Sequence, residues 1–254
     1  MANRSARSVA RSLWLAGFFV ALLPMAALAQ TGLDTDADGL TDEEEKRQYH
    51  TDPNTADTDS DGFNDGEEIA GGYSPRHGGK ALLLTVDSDQ DFLNDAWELR
   101  LGTDLQNPDS DGDRFLDGTE VAAGYDPTVA GKVKRDKRID VSLDRQELTY
   151  AFGNTVLETF PISGGLPGTP TPVGEFTVLA KVPVKHYGGA GFDYPNTKWN
   201  LQFTAVRGLR YYIHGAYWHN DFGQPKSHGC VNVSYDRMER LYWFSQIGSR
   251  VTIR

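Results

Sequence analysis

Four twelve-residue stretches repeat one pattern of carboxylates: DTDADGLTDEEE from Asp34, DTDSDGFNDGEE from Asp57, DSDQDFLNDAWE from Asp87 and DSDGDRFLDGTE from Asp109. Each holds Asp at positions 1, 3, 5 and 9 and Glu at position 12, and the first two hold Gly39 and Gly62 at position 6. So many like charges in so short a run repel one another unless a cation lies between them. A hard divalent cation takes about six to eight oxygens, and alternate side chains of a tight loop point inward together. Position 7 adds a backbone carbonyl, and the Glu at position 12 closes the site with two oxygens. The expected calcium ligands are Asp34, Asp36, Asp38, Leu40, Asp42 and Glu45 in the first loop, and Asp57, Asp59, Asp61, Phe63, Asp65 and Glu68 in the second. The third offers Asp87, Asp89, Asp91, Asp95 and Glu98, and the fourth Asp109, Asp111, Asp113, Asp117 and Glu120. The bland alternative is a disordered acidic spacer, but random acidity does not keep a five-position register four times. Phe92 and Arg114 replace the position-6 glycine, so the last two turns are expected to differ or to bind more weakly.

Successive loops start 23, 30 and 22 residues apart, which leaves room only for short helices near 43–49, 66–70 and 96–101. Position 8 (Thr41, Asn64, Asn94, Leu116) is mostly polar, whereas a paired EF-hand wants an apolar residue there. With the turns HTDPNTADTDSDG and GTDLQNPDSDGD, the segment resembles the thrombospondin type-3-like repeats of bacterial surface and periplasmic proteins. The resemblance implies an elongated array in which calcium, a structural cofactor, largely replaces a hydrophobic core. Tyr49, Phe63, Tyr73, Phe92, Trp97, Phe115 and Tyr125 are then expected to make the small apolar contacts between repeats.

The net charge of −11 is unevenly spread. Residues 30–130 carry 26 Asp and Glu against 6 Lys and Arg, and residues 131–254 carry 10 against 16, so the two segments are not expected to share a core or a task. The basic stretch GKVKRDKR, residues 131–138, reads as the linker between a repeat region (30–130) and a second domain (139–254). The acidic region is expected to avoid anionic polymers, no nucleic-acid partner is expected, and an envelope protein could bind the acidic repeats. The chain opens on Arg4, Arg7 and Arg11, an uncharged run over 13–23 and Ala27-Leu28-Ala29. This is the layout of a signal peptide over 1–29, cleaved after Ala29. An uncleaved anchor is the alternative; no later stretch is apolar enough to span a bilayer, so no stable membrane span is expected after cleavage.

From Ile139 the text alternates apolar and polar residues between turn signals. Strands are expected near 139–143, 146–152, 155–162, 175–181, 200–205 and 210–214 and in the terminal RVTIR, with a helix on Met238, Leu241, Tyr242 and Ile247 after a Ser cap. Many short strands with one helix make a mostly-β sandwich or open barrel.

Export would place the single cysteine, Cys230, in an oxidising compartment without an internal partner. It sits in YYIHGAYWHNDFGQPKSHGCVNVS. A thiol attacks as thiolate, its free pKa is about 8.5, and a nearby imidazole lowers it. His214 ends a strand, and Gly215, Gly223 and Pro225 let the chain turn back toward the sulfur. The N–H groups of Gly229 and Cys230 offer themselves to a developing oxyanion, so the parts suffice for acyl transfer through a thioester. Read singly, His219 is a surface or packing histidine and Ser227 a turn residue. His214, His219, His228 and Cys230 as zinc ligands remain a minor alternative, with a spacing unlike the common zinc motifs.

His214-Gly215 followed by Ser227-His228-Gly229-Cys230-Val231-Asn232, with the upstream IDVSLDRQELTYAF and ISGGLPGTPTPVGEF, resembles the YkuD-type L,D-transpeptidase catalytic domain over about 139–254. The resemblance implies Cys230 as nucleophile and His214 as base, positioned by the Gly215 carbonyl. His228, Gly229 and Cys230 would surround the oxyanion, Ser227 would shape the pocket and Asn232 would meet substrate. The implied substrate is a peptidoglycan stem peptide, cut at its L,D bond to D-alanine and joined to a second stem as a 3→3 cross-link in the periplasm or cell envelope, with no catalytic cofactor. Asn232 stands where many relatives carry arginine, which leaves the acceptor open: an amine, a lipoprotein or water, the last making an L,D-carboxypeptidase. A non-catalytic, calcium-dependent peptidoglycan-binding scaffold is the reading of another class.

Overall fold

The computed structural model describes residues 32–189 and 191–254. The signal peptide expected over 1–29 lies outside them. Among the described residues no helix is long and apolar enough to cross a membrane.

Each carboxylate loop runs into one short helix: α1 (Asp42–Glu44, continued by a π-helical turn Glu45–Tyr49), α2 (Asp65–Gly71), α3 (Asp95–Leu101) and α4 (Asp117–Ala123). Asp and Glu crowd the first turn of each, where the helix dipole favours negative charge. The loops pair. Asp38 accepts the N–H of Gly66 at 3.1 Å, and Asp91 accepts that of Gly118 at 2.8 Å. Only glycine permits this approach, since a Cβ at Gly66 or Gly118 would stand 2.4 or 2.5 Å from the carbonyl oxygen of Asp38 or Asp91. Asp61 and Asp113 bond in the same way to the N–H of Gly79 and Gly131. Tyr73 bridges Leu82, and Tyr125 bridges Lys134. The region is therefore a duplicated pair of loops, a higher order than the fourfold register conveys.

The remainder is mostly strand. β1 (Lys137–Ser142), β2 (Glu147–Phe152), β3 (Thr155–Pro161), β4 (Gly174–Thr177) and β9 (Arg250–Ile253) form a five-stranded sheet in the order β3-β2-β1-β9-β4. β5 (Ala180–Gly189), β6 (Phe192–Val206), β7 (Leu209–Gly215) and β8 (Val231–Val233) form a second sheet in that order. The pairs β1–β9 and β7–β8 are parallel and the rest antiparallel. One longer helix, α5 (Tyr235–Phe244), follows β8 and buries Met238, Leu241, Tyr242 and Phe244. The mostly-β architecture is the one expected, but Ile247 lies past the helix and is 69 % exposed.

Two strands, β5 and β8, and the first half of β6 escaped the sequence reading. The long β5–β6 hairpin contains Pro183, Pro195 and three glycines, which read as breakers. β5 is an edge strand, where proline is tolerated, and its register with β6 shifts between Lys185 and Tyr187, opposite Pro195. β8 is only three residues long.

The expectation of separate cores does not hold. Leu93, Trp97, Leu101 and Val121 belong to the same buried cluster as Ile139, Tyr150, Leu157 and Phe244. Of the stretch expected to be a linker, Lys137 and Arg138 lie in β1. Phe63, Phe92 and Phe115, expected between repeats, are exposed; Leu40, Leu83, Leu93 and Leu105 are buried instead.

Candidate functional site

β7 ends on His214-Gly215, and β8 starts directly after Cys230. The strands run parallel with Ile213 beside Val231 and His214 beside Asn232. Side chains alternate along a strand, so His214, Cys230 and Asn232 share one face of the sheet. All three line a cleft of about 520 Å³ with Tyr187, Trp218 and His219.

The motif is held by the turn after β3. Ser163 and Asn232 exchange both backbone hydrogen bonds at 2.9 Å, and Gly164 accepts the N–H groups of Lys226 and Ser227. The Ser227 hydroxyl donates to the Cys230 carbonyl and accepts the Gly229 N–H at 3.1 Å. Gly229 has φ +110°, and a Cβ there would lie 2.8 Å from the Tyr211 ring, so the bend before the thiol needs glycine. The Gly229 N–H is thus engaged within the turn.

His214 is buried, and its Nδ1 lies 2.9 Å from the Gly215 carbonyl. A carbonyl only accepts, so Nδ1 carries the proton and Nε2 keeps its lone pair. Tyr187 stacks on the imidazole at 4.6 Å and 25°, and its hydroxyl donates to Asn200 Oδ1 at 2.9 Å. Asn200 is itself fixed by donating to the carbonyls of Val182 and Thr197. Burial pushes His214 down to about 4, against the pull of the Gly215 carbonyl. Burial also pushes the Cys230 thiol up to about 11, partly offset by the Tyr212 N–H and the Lys185 charge. Burial thus moves both groups away from their charged forms, opposite to the lowering a nearby imidazole would give the thiol; desolvation outweighs charge.

His219 lines the same cleft, with Nε2 3.1 Å from Asn232 Nδ2 and Nδ1 accepting the Asp221 N–H at 3.2 Å. It also packs beside Phe222, ring centroids 4.9 Å apart, so the packing reading stands alongside its place on the cleft. Its signal in the sequence was the aromatic-rich HGAYWHNDFG; Tyr187, 27 residues before His214, left none. His228 is exposed and stacks on Phe192 at 4.6 Å.

In all four loops the structure gathers positions 1, 3 and 5: ligand atoms of Asp34, Asp36 and Asp38, of Asp57, Asp59 and Asp61, of Asp87, Asp89 and Asp91, and of Asp109, Asp111 and Asp113 lie within 4.8 Å of one another. Among the described residues, the groups able to hold a metal contain only Asp and Glu. Oδ2 of Asp36, Asp59, Asp89 and Asp111 and Oε2 of Glu45, Glu68, Glu98 and Glu120 are buried without a hydrogen-bond partner. These are positions 3 and 12 of every loop. Orphaned carboxylate oxygens that recur in register fit a hard cation. Burial first, then neighbouring carboxylates, pushes Glu98 up to about 10 and Glu45, Glu68, Glu120 and Asp89 each up to about 7.

Two expectations about the loops change. Asp42, Asp65, Asp95 and Asp117 at position 9 take the N–H and hydroxyl of Thr35, Thr58, Ser88 and Ser110, so they close the loop ends upon themselves. Asp65 also approaches Asp38 and Glu45 within 4.8 Å. Phe92 and Arg114 keep the left-handed turn, with φ of 80° and 79° against 101° and 99° at Gly39 and Gly62. The last two loops are not built differently; they carry about 1 kcal/mol or more of backbone strain each. Leu40 and Phe63, the expected carbonyl donors, have their N–H groups tied to Asp38 and Asp61 at 2.8 and 3.0 Å.

A mostly-β domain with thiol and imidazole on one cleft, behind a train of carboxylate loops, is the class that fold and site define. Residues 136–253 match the YkuD family, the L,D-transpeptidase catalytic domain, and residues 34–56, 57–72 and 109–130 match the bacterial TSP3 repeat. The chain is thus similar to an L,D-transpeptidase catalytic domain over its β-rich part and to TSP3 repeats ahead of it. It is 32 % identical over 144 residues to L,D-transpeptidase 1 of Mycobacterium tuberculosis, across 53 % of this chain and 57 % of that protein. The chain therefore spans little more than half the length of that relative. Among solved structures it is similar to an L,D-transpeptidase from Mycobacterium smegmatis, at 28 % identity, 48 % and 60 % coverage and a TM-score of 0.44. The catalytic domain of the Enterococcus faecium enzyme is 26 % identical over 47 % of this chain and 97 % of that one, with a TM-score of 0.41.

Proposed function

We propose that this protein is an envelope L,D-transpeptidase that works through a Cys230 thioester on peptidoglycan stem peptides, with calcium as a structural cofactor of its repeats. The observation that carries the reading is an imidazole whose free nitrogen is set by the Gly215 carbonyl, on the strand paired with the one that Cys230 opens.

As Sγ of Cys230 attacks the carbonyl of the L,D bond, Nε2 of His214 takes the thiol proton. The backbone N–H of Cys230 is the donor left for the oxyanion, since that of Gly229 is engaged. The tetrahedral adduct collapses, the carbon–nitrogen bond breaks, and His214 returns its proton to the departing amine of D-alanine. An amine of a second stem then attacks the thioester and gives its proton to His214, and the sulfur leaves as the regenerated thiol. Tyr187 holds the imidazole plane throughout. Asn232 and His219 meet substrate as neutral hydrogen-bonding groups, because burial and Lys226 keep the His219 pKa down. The transfer product is a 3→3 cross-link.

Purified sacculi incubated with the mature protein are expected to gain 3→3 dimers in the muropeptide mass profile. Tripeptide monomers and free D-alanine without dimers would mean that water resolves the thioester; an unchanged profile would leave no enzyme. Those two pKa shifts fix a pH profile as well. His214 acts as base only when unprotonated, so acylation by a carbapenem rises with pH through about 4 and then stays level across neutrality, below the thiol value of about 11. A stopped-flow profile with a limb near pH 7 would contradict it.

A further inference from the structure

The loop from Asp87 to Glu98 lies outside the three matched repeat segments. It is also placed unlike the first two loops. Glu98 is 0 % exposed, lies beside Asp89 and Asp91, and has an Oε2 without a hydrogen-bond partner. Its neighbour in the same short helix, Trp97, is 6 % exposed and meets Tyr150 edge-on at 5.7 Å and Phe244 at 6.0 Å. Those rings belong to β2 and α5 of the catalytic domain. Asp91 takes the Gly118 N–H, which ties this loop to α4, and Val121 of α4 enters the same core. Lys137 of β1 then donates to the carbonyls of Ala122 and Phe244, joining the C-terminal ends of α4 and α5. Among the described residues, the buried members of that cluster begin at Leu93. The loops at 34–45 and 57–68 contribute none.

We propose that Asp87–Glu98 is a calcium site integral to the transpeptidase domain: a divalent cation held by Asp87, Asp89, Asp91 and Glu98 sets α3, and through Trp97 the packing of α5 and β2. A cation bound only by the folded loop stabilises whatever folds with that loop. Here that unit is the catalytic core, because Glu98 and Trp97 are adjacent on one helical turn. Cations in the first two loops sit in segments that place no buried side chain in this core. The inference rests on the reading of the loops as calcium sites.

The test compares Glu98→Gln with Glu68→Gln in the full mature chain. Calcium binding is measured calorimetrically, and the unfolding midpoint of the aromatic core by near-ultraviolet circular dichroism, with calcium and with chelator. Wild type and Glu68→Gln are expected to show a similar calcium-dependent rise in midpoint, and Glu98→Gln to lose more than half of it. A full rise in Glu98→Gln, or an equal loss in Glu68→Gln, overturns the proposal. If wild type binds no calcium, the reading of the loops fails; if it binds calcium and the midpoint stays put, the coupling alone fails. Should Glu98→Gln not fold, Asp89→Asn against Asp59→Asn gives the same comparison.

Discussion

Cys230→Ala is expected to fold normally and to gain no mass on incubation with a carbapenem, whereas wild type gains one adduct. The substitution removes only a half-buried sulfur. The bond from the Ser227 hydroxyl goes to the Cys230 backbone carbonyl, so the turn survives. The base has a smaller but still large effect. His214→Gln keeps a side chain of similar reach and removes a proton acceptor, and acylation should slow by about 10²–10⁴-fold, the usual worth of general acid–base catalysis. Adduct formation measured by intact mass against time checks both variants. An adduct on Cys230→Ala would move the nucleophile elsewhere, and a His214→Gln rate equal to wild type would remove the base from the mechanism.

Removing calcium from the whole chain should lower its unfolding midpoint steeply. Exported calcium modules often bind at about 10⁻⁴–10⁻³ M. At 10 mM calcium, roughly 10 to 100 times such a Kd, each occupied site then adds about 1.4–2.7 kcal/mol. A unit of this size shifts by about 2–4 °C per kcal/mol, so an occupied site is worth ~3–11 °C to the part that unfolds together with its loop. The eight orphaned oxygens at positions 3 and 12 are the structural reason: without a cation they are buried acceptors lacking any partner. Far-ultraviolet melting curves with excess calcium and with excess chelator make the comparison. Coincident curves would mean that the carboxylates hold no cation of consequence to the fold.

The carboxylate register was legible because each loop is local. Twelve consecutive residues hold the ligands, and a turn of one hand brings them together. Even there the turns at Phe92 and Arg114 keep the shape of the glycine-bearing ones, since the neighbouring backbone holds them at a φ that suits glycine. The thiol and the imidazole were legible as a motif of two short segments. The ring that stacks on the imidazole was not, because Tyr187 arrives on a hairpin whose prolines and glycines read as breaks.

By itself the amino-acid order determined which side chains can carry the chemistry: carboxylates at fixed intervals, one thiol, and a histidine with a glycine after it. Those are properties of residue type and short spacing. Tertiary structure alone decided that Trp97 of a carboxylate loop belongs to the core of the β-rich domain. It also decided that Ser227 occupies the Gly229 N–H and that burial pushes the imidazole pKa down and the thiol pKa up. Each of these depends on what excludes water from a group, and that is settled by segments far apart in the chain.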